Sequence, residues 1–214
     1  MATRKYFNFY EGLDTMSDQL QEKPALLIID MVKDILDSET EFPVTPLAAR
    51  AIPVINSLIQ LFRKEGWPVI FPTDAFHETD FIFKSRLKPH SLAGTWGAEI
   101  TASLDYRPET DLWLPKPRFS AFFGTGLEKI LHEQGVTLCA VAGITTQICV
   151  LTTVLDALCH DFKAVLLEDC TAAYTAELHE TVLSAYRRTP LDPLLRVVTA
   201  QKLVEIFRET GILA

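Results

Sequence analysis

The sequence predicts an α/β fold: a single doubly wound domain with a six-stranded, mostly parallel sheet and helices on both faces. Six short apolar runs have the length and composition of buried strands. They alternate with segments whose apolar residues recur every three or four positions, the pattern of amphipathic helices. The 214 residues, 48% of them hydrophobic, are enough for one domain of this class. Strands that alternate with helices pair in parallel, because each crossover carries a helix.

In the first half of the chain, three apolar runs predict buried strands, at residues 24–30, 67–73 and 111–116. Residues 46–65 show the helical spacing, and Gly66 follows at the end of that pattern. Pro53 either lies near the start of this helix or kinks it. Residues 74–110 mix proline, glycine and both signs of charge, so they predict an irregular connection.

In the second half, strands and helices alternate regularly. The apolar runs predict three further strands, at residues 136–143, 162–169 and 195–200. The segments between and around them predict four helices, at residues 125–135, 147–160, 177–188 and 201–211. No internal repeat or low-complexity tract interrupts this pattern.

Composition narrows the classes of partner. The net charge of −8 argues against nucleic acid, because an acidic surface repels phosphate. No apolar stretch approaches the roughly 18 residues of a membrane span, so we expect no membrane partner. Residues 1–23 lack the apolar region of a secretory signal, which predicts a cytoplasmic protein. We interpret residues 1–23 as an aromatic-rich arm and residues 24–214 as the domain.

Three reactive side chains follow predicted strands at the same edge of the sheet. Asp30 ends the first strand, Lys116 ends the third, and Cys149 comes at the start of the helix after the fourth. Chemistry in open α/β sheets gathers where the strands end at their carboxyl edge. We therefore expect a carboxylate, an ammonium and a thiol to meet there.

These three groups together suit nucleophilic catalysis. A nearby ammonium and a helix N-terminus both favour a thiolate and can lower the pKa of a cysteine by several units. A carboxylate in reach can take the thiol proton and later return it to a leaving amine. The other three cysteines form no CxxC pair, so a zinc knuckle is not predicted, and in a reducing compartment neither are disulfides.

Four segments resemble the isochorismatase-like cysteine hydrolases. They are "LLIIDMVKDIL", "PHSLAGTWGAEI", "KPRFSAFFGTGLEKIL" and "GITTQICVLTTVLDAL", in the order and spacing of that family between about residues 24 and 200. The resemblance implies that Asp30, Lys116 and Cys149 are its catalytic triad. Family members that cleave the vinyl ether of isochorismate lack the cysteine, so Cys149 implies hydrolysis of a C–N bond.

The resemblance also implies a cis peptide between Ile144 and Thr145. In such an arrangement the Thr145 backbone N–H points inward and, with the N–H of Cys149, forms an oxyanion hole. One donor of this kind is typically worth ~3 kcal/mol of the reaction barrier. No cofactor is needed for this chemistry.

One part of the family pattern is altered here. Nicotinamidases of the family bind a divalent metal through an Asp-x-His pair and a later histidine. Asp74 and His90 match two of these ligands, but Phe76 occupies the histidine position and His77 comes one residue late. A shift of one residue re-aims a side chain, so Asp74, His77 and His90 are weak metal candidates and we predict no metal site.

Aromatic residues near the triad are candidates for the substrate pocket. Phe76 follows the second strand, and Phe119 and Phe122 follow Lys116. Each of the three could line an apolar pocket or pack in the core.

We therefore predict a hydrolase that cleaves a small carboxamide or ureide through a thioester. The alternatives are a metal-dependent nicotinamidase and a non-catalytic small-molecule binding or interaction protein with the same fold. The resemblance further implies a homo-oligomer, either a dimer or a tetramer, to which the aromatic arm could contribute.

Overall fold

The computed structural model describes residues 22–40 and 42–213. Most of the predicted arm, residues 1–21, lies outside the described residues. Within the described part, no helix is both long enough and apolar enough to cross a membrane.

In residues 22–40 and 42–213, six strands form one sheet in which every strand pairing is parallel. The strands are β1 (Pro24–Ile29), β2 (Val69–Asp74), β3 (Leu112–Lys116), β4 (Leu138–Ile144), β5 (Lys163–Ala172) and β6 (Leu195–Val198). Their order across the sheet is β3-β2-β1-β4-β5-β6. Successive strands are therefore added on one side of β1 up to β3 and on its other side from β4 onward. The predicted fold class is confirmed, and the sheet is entirely rather than mostly parallel.

The described residues contain six α-helices beside the strands. They are α1 (Lys33–Leu36), α2 (Thr45–Lys64), α3 (Leu127–Glu133), α4 (Leu151–Cys159), α5 (Ala176–Tyr186) and α6 (Ala200–Glu209). Pro53 lies inside α2. The stretch predicted as irregular contains two short 3₁₀ turns, at Phe81–Lys84 and Trp96–Ala98.

Successive side chains of the central strands point to opposite faces, and both faces are buried. Leu26 and Ile28 of β1 pack with α2 and α6, whereas Leu27 and Ile29 pack with α3 and α4. A strand buried on both faces has no polar alternation, which explains why β1 appears in the sequence as an unbroken apolar run. Because the strands are parallel, the carboxyl ends of β1 to β4 lie along one edge of the sheet, which the helices leave open.

Two elements differ from prediction near that edge. A π-helical turn, Thr146–Val150, precedes α4, so Cys149 lies in this turn rather than in the first turn of an α-helix. Strand β5 runs past residue 169 to Ala172, and its pairing with β4 shifts register between Val141 and Gly143. The carbonyl of Glu168 falls within this irregular part of β5.

Candidate active site

The open edge of the sheet carries a small cavity of about 100 Å³. Asp30, Asp74 and Cys149 line it, together with Thr145 at the end of β4. One carboxylate oxygen of each aspartate and the sulfur of Cys149 lie within 4.8 Å of one another. The structure thus brings the predicted acid and thiol together.

Asp30 follows β1 in a left-handed backbone conformation, with φ of 54°. Non-glycine residues adopt this conformation rarely, and where they do so the surrounding structure has to hold it. The backbone N–H of Asp30 donates to the carbonyl of Pro72, and its Oδ1 accepts the N–H of Asp74 at 2.7 Å. These bonds tie the carboxylate to the end of β2.

Gly143 lets β4 approach β1 at this point. Its φ is 103°, and a Cβ added there would lie 2.1 Å from the carbonyl oxygen of Ile29. Only glycine fits both the conformation and the space. The peptide bond that follows, between Ile144 and Thr145, is cis.

Lys116 ends β3 and is fully buried between two carboxylates. Its Nζ lies 2.9 Å from Oδ2 of Asp30 and also forms an ion pair with Oδ1 of Asp74. A third contact, 3.2 Å long, reaches the carbonyl of Arg118. Burial disfavours the charged ammonium, but Asp30, Cys149 and Asp74 outweigh that penalty, so the pKa of Lys116 is raised.

Asp74 is the third member of this charge cluster. One ammonium balances one carboxylate, and a second carboxylate in the same buried site prefers to be neutral. Burial and the neighbouring Asp30 together raise the pKa of Asp74 to about 8, against the opposing effect of Lys116. The sequence offered Asp74 as a weak metal ligand, whereas in the structure its partner is Lys116.

Cys149 is buried beside this cluster, with 7% of its surface exposed. We expected the ammonium and the helix N-terminus to lower the pKa of the thiol. Instead, burial raises the pKa of Cys149, Lys116 opposes the rise, and the charges of Asp30 and Asp74 add to it. The expectation was wrong because it left out the cost of ionising a desolvated sulfur. The resting sulfur is therefore a thiol that needs a base.

The turn that carries Cys149 wraps around one carbonyl. The oxygen of Thr145 accepts the N–H groups of Ile148, at 3.0 Å, and Val150, at 3.2 Å. Among the described residues, no acceptor takes the N–H of Thr145 itself. Thr145 lines the cavity, and its N–H belongs to the cis peptide bond.

Apolar side chains form most of the cavity wall, among them Val32, Ile35, Phe42, Phe76, Phe119 and Ile148. Two of the three predicted pocket residues, Phe76 and Phe119, are therefore in place as wall residues. Phe122 lies elsewhere and stacks on His160 and Phe162 in the core against α3 and α4. Its position three residues beyond Phe119 turns it away from the cavity.

The three weak metal candidates do not assemble into a metal site. Phe76 is buried and packs edge-on against His90, with ring centroids 5.6 Å apart. The Nδ1 of His90 is 2.8 Å from the carbonyl of Lys88, and His77 is exposed. Asp74, which would be the third ligand, already faces Lys116. These residues do not fit the metal of the nicotinamidases.

Two further cavity residues carry no sequence signal that we recognised. Tyr174 follows β5 and lines the cavity, where burial raises its pKa, with Cys149 adding to the rise. Ser91 also lines the cavity, and its buried hydroxyl has no hydrogen-bond partner among the described residues. Asp169, in β5, accepts the N–H of Ala200, which begins α6.

The chain matches known proteins along nearly its whole length. The family model described as an isochorismatase domain matches residues 24–212. The chain belongs to the isochorismatase family. A probable inactive nicotinamidase of Arabidopsis thaliana is 34% identical over 167 residues, which cover 72% of this chain and 83% of that protein.

Solved structures of hydrolases in this family have the same fold. The nicotinamidase PncA from Bacillus subtilis is 32% identical, with a TM-score of 0.67, and the match covers 78% of this chain and 95% of that one. The N-carbamoylsarcosine amidase from Thermoplasma acidophilum is 27% identical, with a TM-score of 0.71, over 83% and 96% of the two chains. The isochorismatase-family relatives of this chain thus include a nicotinamidase and a carbamoyl amidase.

Proposed function

We propose that this protein is a cysteine hydrolase that cleaves the C–N bond of a small carboxamide through a thioester. The observation that carries the proposal is that Asp30 and Cys149 meet at one cavity while Lys116 is buried directly behind Asp30, although the three residues are far apart in the chain. An ion pair alone needs no cysteine beside it, and a structural cysteine needs no buried charges around it.

The proposed reaction starts from a neutral thiol. Asp30 takes the proton of Cys149 as the sulfur attacks the substrate carbonyl carbon. The N–H groups of Thr145 and Cys149 donate to the oxygen as it gains negative charge. Lys116 keeps positive charge beside the sulfur and the carboxylate throughout the step.

The proton then leaves with the amine. As the C–N bond breaks, Asp30 protonates the departing nitrogen, which leaves as ammonia or an amine, and a thioester remains on Cys149. Asp30 next takes a proton from water, whose oxygen attacks the thioester carbon. The C–S bond breaks, the acid leaves, and the sulfur recovers its proton.

The cavity favours an uncharged substrate with an apolar body. Its wall is largely hydrophobic, and no lysine or arginine lines it in the part of the chain that the structure describes. An anionic ureide would lie beside the carboxylate of Asp30, and no lysine or arginine of the described cavity wall would balance its charge. The buried hydroxyl of Ser91 offers such a substrate one hydrogen bond.

An ammonia-release screen tests this proposal. We expect uncharged carboxamides such as nicotinamide or benzamide to be hydrolysed, and anionic ureides such as N-carbamoyl amino acids to be poor substrates. Cys149→Ala should lower turnover by at least ~10³-fold, since it removes the nucleophile. The matched control is Cys159→Ala, which changes an exposed cysteine and should leave turnover intact. Full activity of the Cys149 variant would rule the reaction out.

The ammonia-release assay also separates the two alternative functions when it is combined with metal removal for one and with calorimetry for the other. A metal-dependent nicotinamidase would lose activity on dialysis against a chelator and regain it with zinc, whereas this site should keep its activity. A non-catalytic binding protein is suggested by the relative that is named inactive. It would bind carboxamides in calorimetry yet release no ammonia from any of them.

A further inference from the structure

A chain of hydrogen bonds links the turn that carries Cys149 to the neighbouring helix. The hydroxyl of Thr146, fully buried at the start of that turn, lies 2.9 Å from Nδ1 of His179 on α5. The other ring nitrogen, Nε2, lies 3.0 Å from the carbonyl oxygen of Glu168 on β5. The imidazole thus bridges the turn and the sheet.

The acceptor at one end fixes the direction of both bonds. A carbonyl oxygen can only accept, so Nε2 of His179 must carry a hydrogen. In the neutral ring Nδ1 is then a lone pair, and the Thr146 hydroxyl donates to it. The ring is held in one tautomer and one orientation by partners on two different elements.

The shift in register of β5 makes this bridge possible. Val141 of β4 pairs with Leu166, but Gly143 pairs with Thr171, so the residues between them on β5 are out of regular pairing with β4. Glu168 lies in that interval, and its carbonyl oxygen is therefore available to a side chain. Without the irregularity, a ladder partner would compete for the same oxygen.

We propose that His179 is a positioning residue that holds the turn from Thr145 to Cys149 in its reactive geometry. The inference rests on the proposed amidase function for its kinetic consequence, but not for the geometry. Thr146 lies directly between the Thr145 N–H and the rest of the turn, so its tether sets where that donor and the sulfur stand. A misplacement of such groups by about 1 Å can cost ~10²-fold in rate.

Variants of His179 separate its hydrogen bonds from its shape. His179→Phe keeps a ring of similar size and loses both bonds, whereas His179→Gln keeps one donor and one acceptor. We expect His179→Phe to lower kcat by about 10- to 100-fold with KM within about twofold, and His179→Gln to recover most of that loss. The matched control is His132→Gln, on an exposed face of α3, which should leave kcat and KM unchanged.

The partner residue gives an independent check. Thr146→Val removes the hydroxyl at nearly constant volume and breaks the bond to Nδ1, one of the two bonds that His179→Phe breaks, so it should lower kcat in the same way but by no more than His179→Phe. Because the bond between Thr146 and His179 is already lost in His179→Phe, the double variant should be no worse than His179→Phe alone. Effects that multiply instead would mean that the two residues act separately, which would overturn the proposal.

The rate at which a thiol reagent labels Cys149 reports the conformation of the turn and needs no substrate. In His179→Phe, iodoacetamide should reach Cys149 about 10-fold faster than in the wild type, while the buried Cys139 and Cys170 react as before. A rise at all three cysteines would mean general loosening and would refute a specific role. An unchanged rate at Cys149 would refute it as well.

The tautomer is checked directly by ¹⁵N spectra of the imidazole. In the neutral form of the ring we expect the hydrogen on Nε2; the opposite tautomer would overturn the inference. If the wild type hydrolyses no amide at all, the proposed function fails, yet the spectrum and the labelling still decide whether His179 holds the turn.

Discussion

Replacing Asp74 with asparagine should stabilise the protein increasingly as the pH rises from about 4 to about 8. The pKa of Asp74 is about 8 in the folded protein and 3.8 in the unfolded chain, because the folded state buries the carboxyl group beside Asp30. Between these two values the folded protein holds a proton that the unfolded chain has released. The wild type therefore loses stability across this window as the pH rises.

The magnitude follows from the width of the window. One proton that is bound only in the folded state changes the free energy of unfolding by at most ~1.4 kcal/mol per pH unit. Over about four units the upper limit is roughly 6 kcal/mol. Asparagine cannot titrate, and its amide oxygen can still accept from Lys116, so the variant should lack this slope.

Urea unfolding of both proteins at each unit from pH 4 to pH 9 measures the effect. The difference in the free energy of unfolding should grow in favour of Asp74→Asn up to about pH 8 and then level off. Asp80→Asn is a control of opposite sign, because the backbone N–H of His77 holds the pKa of Asp80 below its usual range. A difference for Asp74→Asn that is constant with pH, or that favours the wild type, would refute the reasoning.

The remaining predictions concern the frame around the site. Gly143→Ala should destabilise the fold by at least ~3 kcal/mol, since its Cβ would overlap the carbonyl of the neighbouring strand, whereas Gly94→Ala, which has open space, should cost about 1 kcal/mol in the same urea assay. Phe122→Leu should cost about 1–2 kcal/mol of stability and leave KM unchanged, because Phe122 packs in the core. Phe119→Leu, at the cavity wall, should raise KM about 10-fold on whichever carboxamide is hydrolysed. A raised KM for Phe122→Leu with an unchanged KM for Phe119→Leu would contradict the pocket described above. Arg63→Met should cost about 3 kcal/mol of unfolding free energy, because it leaves a buried aspartate without its ion pair.

The parts of the site that the sequence predicted depend on topology. Alternating strands and helices imply a parallel sheet, and in such a sheet the strand ends meet at one edge. Asp30 and Lys116 follow from that rule alone, because each is the last residue of an apolar run. Their placement needs no knowledge of how individual side chains pack.

The parts that it missed depend on packing and register. Nothing in the sequence marks β5 as irregular beside Gly143, so the bridge through His179 could not be foreseen. The direction of the pKa shift at Cys149 depends on how far the sulfur is buried, which no spacing reveals. Phe122 could not be placed from the sequence either, because the loop conformation after Lys116 decides that Phe119 lines the cavity and Phe122 packs in the core.

The ion pairs of Lys116 have a mechanical consequence for the border of the sheet. In the described part of the chain, β3 is the outermost strand at one border of the sheet and pairs with β2 alone. To peel away from the sheet, it would have to drag a charged amine out from between Asp30 and Asp74. The charges that surround the thiol thus also hold an edge strand in place, and the amide hydrogens of β3 that donate to β2 should exchange with solvent as slowly as those of interior strands.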